Sequence, residues 1–344
     1  MTCKPLPIFS NMPWHVKQKI VGFTSPYTQM NLQLCSKDLR KVVDKAPSVY
    51  KGIEIILFSH KVSVSIYCND RTLSIDFEAR DGRVVIEKTK SYTVVSSVEV
   101  EGDFLEEAIK YLGKIFYKTP RNLVTVQQVN LDMATEGNFR WIGGYEDLKL
   151  AFIWKLQEIS VSNLHVGKLE LNIFPNDHNF ASVLRCFYPG TLRSIRLDFD
   201  EDQDHLEVMR LPEVIASEQW KQARQMGCFE FICDVPYETW KHLEFSHLNV
   251  ATLDLSVLKD VIRRIGQSPT WKVAVLSISP SADIRAYFQK LDRVPNTENE
   301  AKISIPDCDT HVVYLKLHDG RVEVLKLSIT DKPSDFIVIG FFFQ

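Results

Sequence analysis

Apolar residues recur at helical spacing near the start of the chain, in the stretch "SNMPWHVKQKIVGF". A helix is expected to begin at Asn11 or Met12, with the following proline in its first turn. Val16, Ile20 and Phe23 follow at positions i, i+4 and i+7, so they share one face of that helix. This spacing predicts an amphipathic helix with one apolar stripe.

Two further short helices are predicted before residue 50. Ser25 and Pro26 are typical of a helix cap and a first helical residue. A third segment carries Leu39 and two valines at helical spacing. It should end near Ala46, because the residue before Pro47 is disfavoured in helical conformation. A three-helix unit this small buries its own apolar residues poorly, so we expect it to contact a neighbour or a partner.

From Gly52 to Val100 the pattern changes to alternation of apolar and polar residues, which predicts an antiparallel β-meander. Asp81 and Gly82 are typical of a hairpin turn between two of its strands. The next segment, "GDFLEEAIKYLGKIFYKTP", predicts a helix capped by Asp103.

The remainder of the chain alternates strand-like runs with helical runs. The strand anchors lie roughly 20–35 residues apart, which favours an irregular, leucine-rich-repeat-like solenoid. They are Leu169, Ile195, Phe229, Leu248 and Val273. A closed α/β domain is the alternative, because the period is irregular. Near the end, "HVVYLKLHDGRVEVLKLS" predicts a hairpin that turns at Asp319 and Gly320.

These patterns together predict an α+β chain with three parts. A small N-terminal three-helix unit occupies residues 5–50, and a β-meander with one helix occupies residues 51–130. An irregular α/β leucine-rich-repeat-like domain occupies residues 131–344.

Composition and charge indicate which partners and which cellular compartment to expect for this protein. The chain has 344 residues with a net charge of −3, so neither nucleic acid nor an acidic membrane is an expected partner. The apolar run "FIVIGFFFQ" is too short to span a bilayer, and prolines interrupt any signal-peptide core. Seven scattered cysteines argue against a disulfide framework, which suggests a reducing compartment, either cytoplasm or nucleus.

The sequence contains no pattern that predicts an enzyme, a metal site or a cofactor site. His242 and His247 are five residues apart, as are Cys228 and Cys233, and neither spacing is typical of metal ligands. No phosphate-binding or nucleophile-elbow motif occurs. The acidic stretch 198–205 lacks the spacing of a calcium loop, so we interpret it as a solvated loop.

The stretch "MPWHVKQKIVGF…LQLCSKDLRKVVD" resembles an F-box. Met12 and Pro13 stand where Leu-Pro is usual, and Ile20 matches the late aliphatic residue of the first helix. Cys35, Ser36 and Lys37 stand where Val-Ser-Lys is usual. The substitutions of methionine for leucine and of cysteine for valine are departures from the motif, as are two polar residues in the second helix.

A second resemblance lies in "EVIASEQWKQARQM", which is similar to a signature of the FTH domain. That domain follows the F-box in a large family of nematode F-box proteins. The flanking segments "YPGTLRSIRLDF" and "HLEFSHLNVATLDL" occur in the matching order. From the residues alone, Trp220 and Ala223 are expected in the core, whereas Lys221, Gln222 and Arg224 are expected to face solvent.

The resemblance implies a non-catalytic substrate receptor of a Skp-cullin-F-box ubiquitin ligase. The N-terminal unit would bind a Skp-family adaptor and through it a cullin, and the C-terminal domain would bind a protein substrate. The implied adaptor face consists of Pro13, Val16, Ile20, Leu32, Leu34 and Leu39. Val42 and Val43 are expected to hold the unit together internally. Two other classes of protein stay open. One is an interaction scaffold outside ubiquitination, with the three helices capping the solenoid. The other is a hydrolase or transferase whose catalytic residues are dispersed along the sequence.

Overall fold

The structure is a computed structural model of the 344-residue chain. It describes residues 9, 11–24, 26–46, 48–68, 71–90, 93–116, 124–133, 145–160, 164–172, 180–198, 208–228, 232–233, 235–248, 250, 253–270, 273–276, 281–294, 299–305, 310–318 and 321–328. The chain divides into two compact units. Unit 1 holds residues 1–195 and 217–222, and unit 2 holds residues 196–216 and 223–344. The predicted boundaries near residues 50 and 130 both fall inside unit 1 and stay predictions.

Three helices open unit 1, as the apolar spacing predicts. They are α1 (Trp14–Gly22), α2 (Pro26–Cys35) and α3 (Lys37–Lys45). One detail of the prediction is wrong: Pro13 does not lie in the first turn of α1. It is the N-cap, with an extended backbone at φ −55° and ψ 145°. A proline fits there because its fixed φ is compatible with extended as well as helical backbone.

Both ends of α3 follow from the local sequence. The Ser36 hydroxyl accepts a hydrogen bond from the Leu39 N–H at 3.1 Å, which satisfies a donor that has no partner within the helix. At the other end Ala46 is extended, at φ −81° and ψ 144°. The following proline disfavours helical backbone at this position, so the predicted stop is confirmed.

An antiparallel meander follows, as the alternation of apolar and polar residues predicts. Its strands are β1 (Ser48–Leu57), β2 (Lys61–Cys68), β3 (Arg71–Arg80), β4 (Arg83–Lys90) and β5 (Thr93–Val100). The turn between β3 and β4 is the predicted one, with φ 51° at Asp81 and 77° at Gly82. Positive φ at both central residues gives the turn twist that matches paired strands.

The meander has one apolar face and one polar face. On the apolar face Phe77 is buried, and its ring lies 5.8 Å from that of Tyr111. The polar face carries hydroxyl and carboxylate side chains, such as Ser63, which donates a hydrogen bond of 2.6 Å to Asp76. Because alternate residues of a strand point to opposite faces, the period-2 sequence produces this division directly.

Helices alternate with parallel strands in the rest of unit 1. The elements are α4 (Phe104–Phe116), β6 (Val124–Asp132), α5 (Tyr145–Ser160), β7 (Leu164–Asn172), α6 (Phe180–Leu184) and the start of β8 (Ser194–Asp198). The N–H of Glu106 donates to Asp103 at 2.9 Å, which confirms the predicted cap of α4. The strand order is β5-β4-β3-β2-β1-β6-β7-β8, with β1, β6 and β7 parallel.

Unit 2 repeats the alternation and ends in a hairpin. Its elements are β9 (Val208–Met209), α7 (Pro212–Ala216), β10 (Gln225–Cys228), β11 (Ile232–Cys233), α9 (Tyr237–Trp240), β12 (Phe245–Leu248), α10 (Leu255–Gln267), β13 (Val273–Leu276), α11 (Ala282–Phe288), β14 (Asp292–Arg293), β15 (Glu300–Ser304), β16 (His311–His318) and β17 (Arg321–Ser328). The order is β10-β12-β13-β17-β16-β15-β14, in which β10, β12 and β13 are parallel. The α+β class is therefore confirmed, and so are the two strands of the terminal hairpin. The predicted turn at 319–320 lies outside the described residues.

Two element assignments made from the sequence are wrong. The run "SEQWKQARQMG" is not one helix, because helix α8 (Glu218–Gln222) is followed by the buried strand β10. Ser217 separates α8 from α7, and its hydroxyl accepts a hydrogen bond from the Trp220 N–H at 3.2 Å. The strand predicted in "LNVATLDL" lies earlier, over β12, since Asp254 already serves as the N-cap of α10. In the described part of the chain, no helix is long and apolar enough to cross a membrane.

Candidate functional site

The apolar stripe of α1 points away from the core of the three-helix unit. Ile20 is 39% exposed and Phe23 is 89% exposed, while Val16 is half-buried. Val21 is buried on the opposite side, about 100–160° around the helix from these three residues at 3.6 residues per turn. Helix α1 therefore uses one side for internal packing and leaves the other side accessible.

A small apolar cluster holds the three helices together. It consists of Val21, Val42, Val43 and Ala46, all buried, with Phe9 and Leu32 packed against it. The predicted internal role of Val42 and Val43 is thereby confirmed.

The six residues of the implied adaptor face do not share one environment. Pro13 is exposed at the start of α1, next to the stripe. Leu32 packs against the buried cluster, and Leu39 is half-buried one turn before Val42 and Val43. The side chain of Leu34 lies outside the described residues. The structure thus brings Pro13, Val16 and Ile20 together, and the adaptor role of the three leucines stays a prediction.

Two exposed aromatic residues of this region were not included in the predicted face. Phe23 belongs to the same i, i+4, i+7 stripe, so the spacing that identified Ile20 was sufficient to find it. Trp14 is 39% exposed, and the ammonium group of Lys45 lies 5.4 Å from its ring centroid. Tryptophan and tyrosine are frequent anchors of protein interfaces, which makes Trp14 a reasonable addition to the candidate site.

Backbone hydrogen bonds fix the end of α1 and hold Phe23 outward. The N–H of Phe23 donates to the carbonyl oxygens of Lys19 and Ile20, both at 3.2 Å. The Thr24 hydroxyl donates to the Val21 carbonyl oxygen at 2.7 Å. The exposed phenyl ring therefore stands on an ordered helix terminus, so little backbone ordering would oppose its binding to a partner.

A buried polar contact ties α2 to the first strand. The amide nitrogen of Gln29 donates to the Val21 carbonyl oxygen at 3.1 Å, and its amide oxygen accepts from the Ser48 hydroxyl at 2.7 Å. Both side chains are buried. The three-helix unit is therefore joined to β1 on a side that leaves the α1 stripe exposed.

The region around the Trp-centred run is core rather than surface. Trp220 is 1% exposed and Ala223 is buried, as predicted. Gln219 is also buried, and its amide donates to the Phe187 carbonyl oxygen at 2.9 Å. The three polar residues expected in solvent are exposed: Lys221, Gln222 and Arg224. The run thus contributes to stability and offers only its polar side to a partner.

One cluster of ionisable groups in unit 2 shows shifted pKa values. The hydroxyl of Tyr237 donates to Asp260 at 2.5 Å, and the Arg264 guanidinium lies 2.8 Å from the same carboxylate. The hydrogen bond from Tyr237, and after it those from the arginine side chains, hold the pKa of Asp260 well below its usual range. Burial, and after it the Asp260 carboxylate, raise the pKa of Tyr237. Such a paired carboxylate is typical of a structural contact between helices, here between α9 and α10.

Among the described residues, no group of three potential metal ligands comes together. His242 is exposed on the turn after α9, whereas His247 is buried in β12. Most of the acidic loop, residues 199–205, lies outside the described residues.

Comparison with known proteins finds a family match in the middle of the chain. The FTH domain family matches residues 151–281. No curated protein matches the chain significantly. A crystal structure of a Bacteroides fragilis protein aligns at 12% identity with a TM-score of 0.27, covering 59% of this chain and 69% of that one. Residues 151–281, which run from α5 past β13, are thus similar to the FTH domain, an F-box-associated family.

Proposed function

We propose that this chain is the substrate-recognition subunit of a Skp-cullin-F-box ubiquitin ligase. The stripe of α1 binds a Skp-family adaptor, and the FTH-like region holds a protein substrate. The observation that carries the proposal is the exposed stripe of Ile20 and Phe23 on a three-helix unit, in the same chain as an F-box-associated domain.

The proposed mechanism is proximity rather than catalysis. A chain that binds adaptor and substrate at the same time raises the effective concentration of substrate lysines near the conjugating enzyme. No bond is made or broken by this chain itself. Such a receptor would work in the cytoplasm or the nucleus, where the ligase components reside.

The positive charge of the N-terminal unit indicates what kind of surface the adaptor should have. Residues 11–46 hold six lysine or arginine residues and two aspartates, which gives +4 against −3 for the whole chain. An apolar stripe on a positively charged unit fits a partner that has acidic residues near an apolar groove. Adaptor binding should therefore become slower and weaker as salt is added.

A protein-interaction scaffold outside ubiquitination is the second candidate. The buried contact between Gln29 and Ser48 favours it, because capping helices need a firm attachment to the strand that they cover. The exposure of Phe23 favours the ligase function instead, because a capping helix would bury its apolar side chains against the domain that it caps.

The deciding experiment introduces a charge into the stripe. Ile20→Asp should abolish capture of a Skp-family adaptor, because an unpaired charge would enter an apolar contact. Val49→Asp is the matched control, since Val49 is 52% exposed and lies outside the stripe on β1. Circular dichroism of both variants tests whether the fold is retained.

Two results would contradict the proposal. Undiminished capture by a folded Ile20→Asp protein would remove the adaptor role from the stripe. Absence of adaptor capture by the natural sequence, combined with retention of a protein partner, would favour the scaffold.

A further inference from the structure

Strand β5 is exposed from Thr93 to Glu99 and has a neighbour on one side only among the described strands. Three of its valines are large exposed apolar residues: Val94 at 56%, Val95 at 57% and Val98 at 53%. An edge strand also presents unpaired N–H and C=O groups at alternate residues, which is a template for another strand.

Natural edge strands are usually protected by charges or proline, and β5 has little of either. Glu99 is its single charged residue, and it forms an ion pair with Arg83 of β4 at 3.3 Å. The strand contains no lysine and no proline. Another protective device of edge strands, a β-bulge, lies near the start of β5, so the residues that follow the bulge are the ones that can pair with another strand.

A bulge divides β5 into an irregular and a regular part. Val94 lies opposite Thr89 and Ser96 lies opposite Lys88, so Val95 is the extra residue. From Ser96 to Val100 the pairing with β4 continues without interruption. The stretch that can accept a flat new strand is thus five residues long, with Val98 at its centre.

Val98 continues an apolar row of the sheet. It lies opposite Ile86, which lies opposite Phe77, so these three side chains share a face. On that face α4 covers Phe77 through Tyr111, yet Val98 remains about half exposed. The helix leaves the end of the row uncovered.

We propose that β5 pairs with β5 of a second copy of this chain, antiparallel, around a twofold axis at Val98. In this register Val98 faces its own counterpart, Ser97 faces Glu99, and Ser96 faces Val100. The apolar row then runs from Phe77 of one copy to Phe77 of the other.

The register explains why a second copy suits this edge. The two Glu99 carboxylates never stand opposite each other, and each can accept a hydrogen bond from the partner's Ser97. The bulged Val94 and Val95 fall outside the five paired residues. A twofold axis also closes the pairing at this edge, because the β5 strands of the two copies cover each other and leave no place for a further strand at β5.

The test uses cysteine substitutions in the full-length chain. Opposite residues of antiparallel strands have Cα atoms about 4.5–5.5 Å apart, within the range of about 4.4–6.8 Å that a disulfide requires. Val98→Cys should therefore form an intermolecular disulfide under mild oxidation. Val94→Cys is the matched control, because Val94 is equally exposed on the same strand but lies outside the five paired residues.

A second measurement follows the mass of the full-length chain in solution. The mass from light scattering should approach twice the monomer value as the concentration rises. Val98→Lys should weaken self-association by about tenfold or more, because two like charges would meet at the axis. Val49→Lys, at a residue of equal exposure on β1, should leave it unchanged.

A monomer at every concentration, or a disulfide that forms as readily at position 94 as at position 98, would overturn the proposal. Capture of an unrelated strand at β5 by a chain that stays monomeric would overturn it as well. The proposal does not depend on the adaptor, since β5 and the α1 stripe are different surfaces, and adaptor capture by Val98→Lys should be retained.

Discussion

Helices α1 and α8 both carry large apolar side chains on short amphipathic segments, but they use them in opposite ways. Ile20 of α1 is 39% exposed and Phe23, the C-cap of α1, is 89% exposed, whereas Trp220 of α8 is 1% exposed. The difference lies in their surroundings. Trp220 belongs to a short segment in which Gln219 and Ala223 are also buried. The α1 stripe, in contrast, faces away from the four-residue cluster that holds the three helices together.

The comparison shows that two motifs of similar appearance have different physical roles. Burial of a tryptophan contributes to the free energy of folding, and its removal leaves a cavity. An exposed phenylalanine contributes almost nothing to folding and a great deal to binding, because its apolar surface is still to be removed from water. The stripe is thus a candidate recognition surface, whereas the Trp220 motif marks the core of the FTH-like region.

The strongest test of the contrast is Trp220→Ala. We expect it to lower the free energy of unfolding by about 3–5 kcal/mol, the usual range for a large-to-small change in a core. Urea denaturation followed by circular dichroism measures the loss. Trp154→Ala is the control: that side chain is 61% exposed, so its removal should change stability by less than about 0.5 kcal/mol. Equal effects of the two substitutions would contradict the core assignment.

Phe23→Ala should show the reverse behaviour. Stability should stay within about 0.5 kcal/mol of the natural protein, since the ring is 89% exposed. Adaptor affinity should fall by about 30-fold, the loss typical of an interface hot spot of about 2 kcal/mol. Calorimetric titration of the adaptor measures the affinity. A large loss of stability with unchanged affinity would move Phe23 from the recognition surface to the core.

Ser48→Ala tests how firmly the three-helix unit is attached to the sheet. The substitution removes the hydroxyl that donates to Gln29 and leaves a buried amide oxygen without that donor. We expect a destabilisation on the order of 1 kcal/mol, the usual contribution of one buried hydrogen bond. Hydrogen exchange should show the loss in both α2 and β1. Faster exchange in α2 alone would mean that the helices open independently of the strand.

The smallest effect concerns pH and the second buried tryptophan, Trp240, whose neighbour Tyr237 contacts Asp260. The pKa of Asp260 is lower in the folded protein than in the unfolded chain, where it is about 4. The ionised carboxylate therefore stabilises the fold above about pH 4. This stabilisation is lost as the pH falls towards the pKa of the folded state. Because the carboxylate is partly exposed, we expect less than about 1 kcal/mol. The difference in melting temperature between the natural protein and Asp260→Asn should therefore be constant above about pH 5 and shrink progressively as the pH falls below about 4. A difference in melting temperature that does not change as the pH is lowered would show that ionisation of Asp260 is not its cause.

Local sequence was sufficient for elements whose ends depend on neighbouring residues. The stop before Pro47, the turn at Asp81 and Gly82, and the cap at Asp103 each follow from a side chain or a φ preference a few residues away. The β-meander was predictable for the same reason, because period-2 alternation needs no distant partner to be recognised.

Short buried segments were not predictable in this way. Strand β10 was hidden in a run that looks helical, and it is a strand because Gln225, Met226 and Gly227 pair with β12. The candidate site shows the same limit. Spacing identified the stripe of Val16 and Ile20, but it could not show that Leu32 turns towards the buried cluster.

The sequence by itself determined the helical and strand periods, the caps and turns, and the set of apolar residues available to each face. Tertiary structure decided which of those apolar residues lose their water: Trp220 and Leu32 pack against other elements, whereas Phe23 and Val98 do not. The physical reason is that backbone preferences act over a few residues, while burial depends on elements far apart in the chain that pack against one another. Exposure, and with it the proposed adaptor and self-pairing surfaces, is therefore a property of the fold.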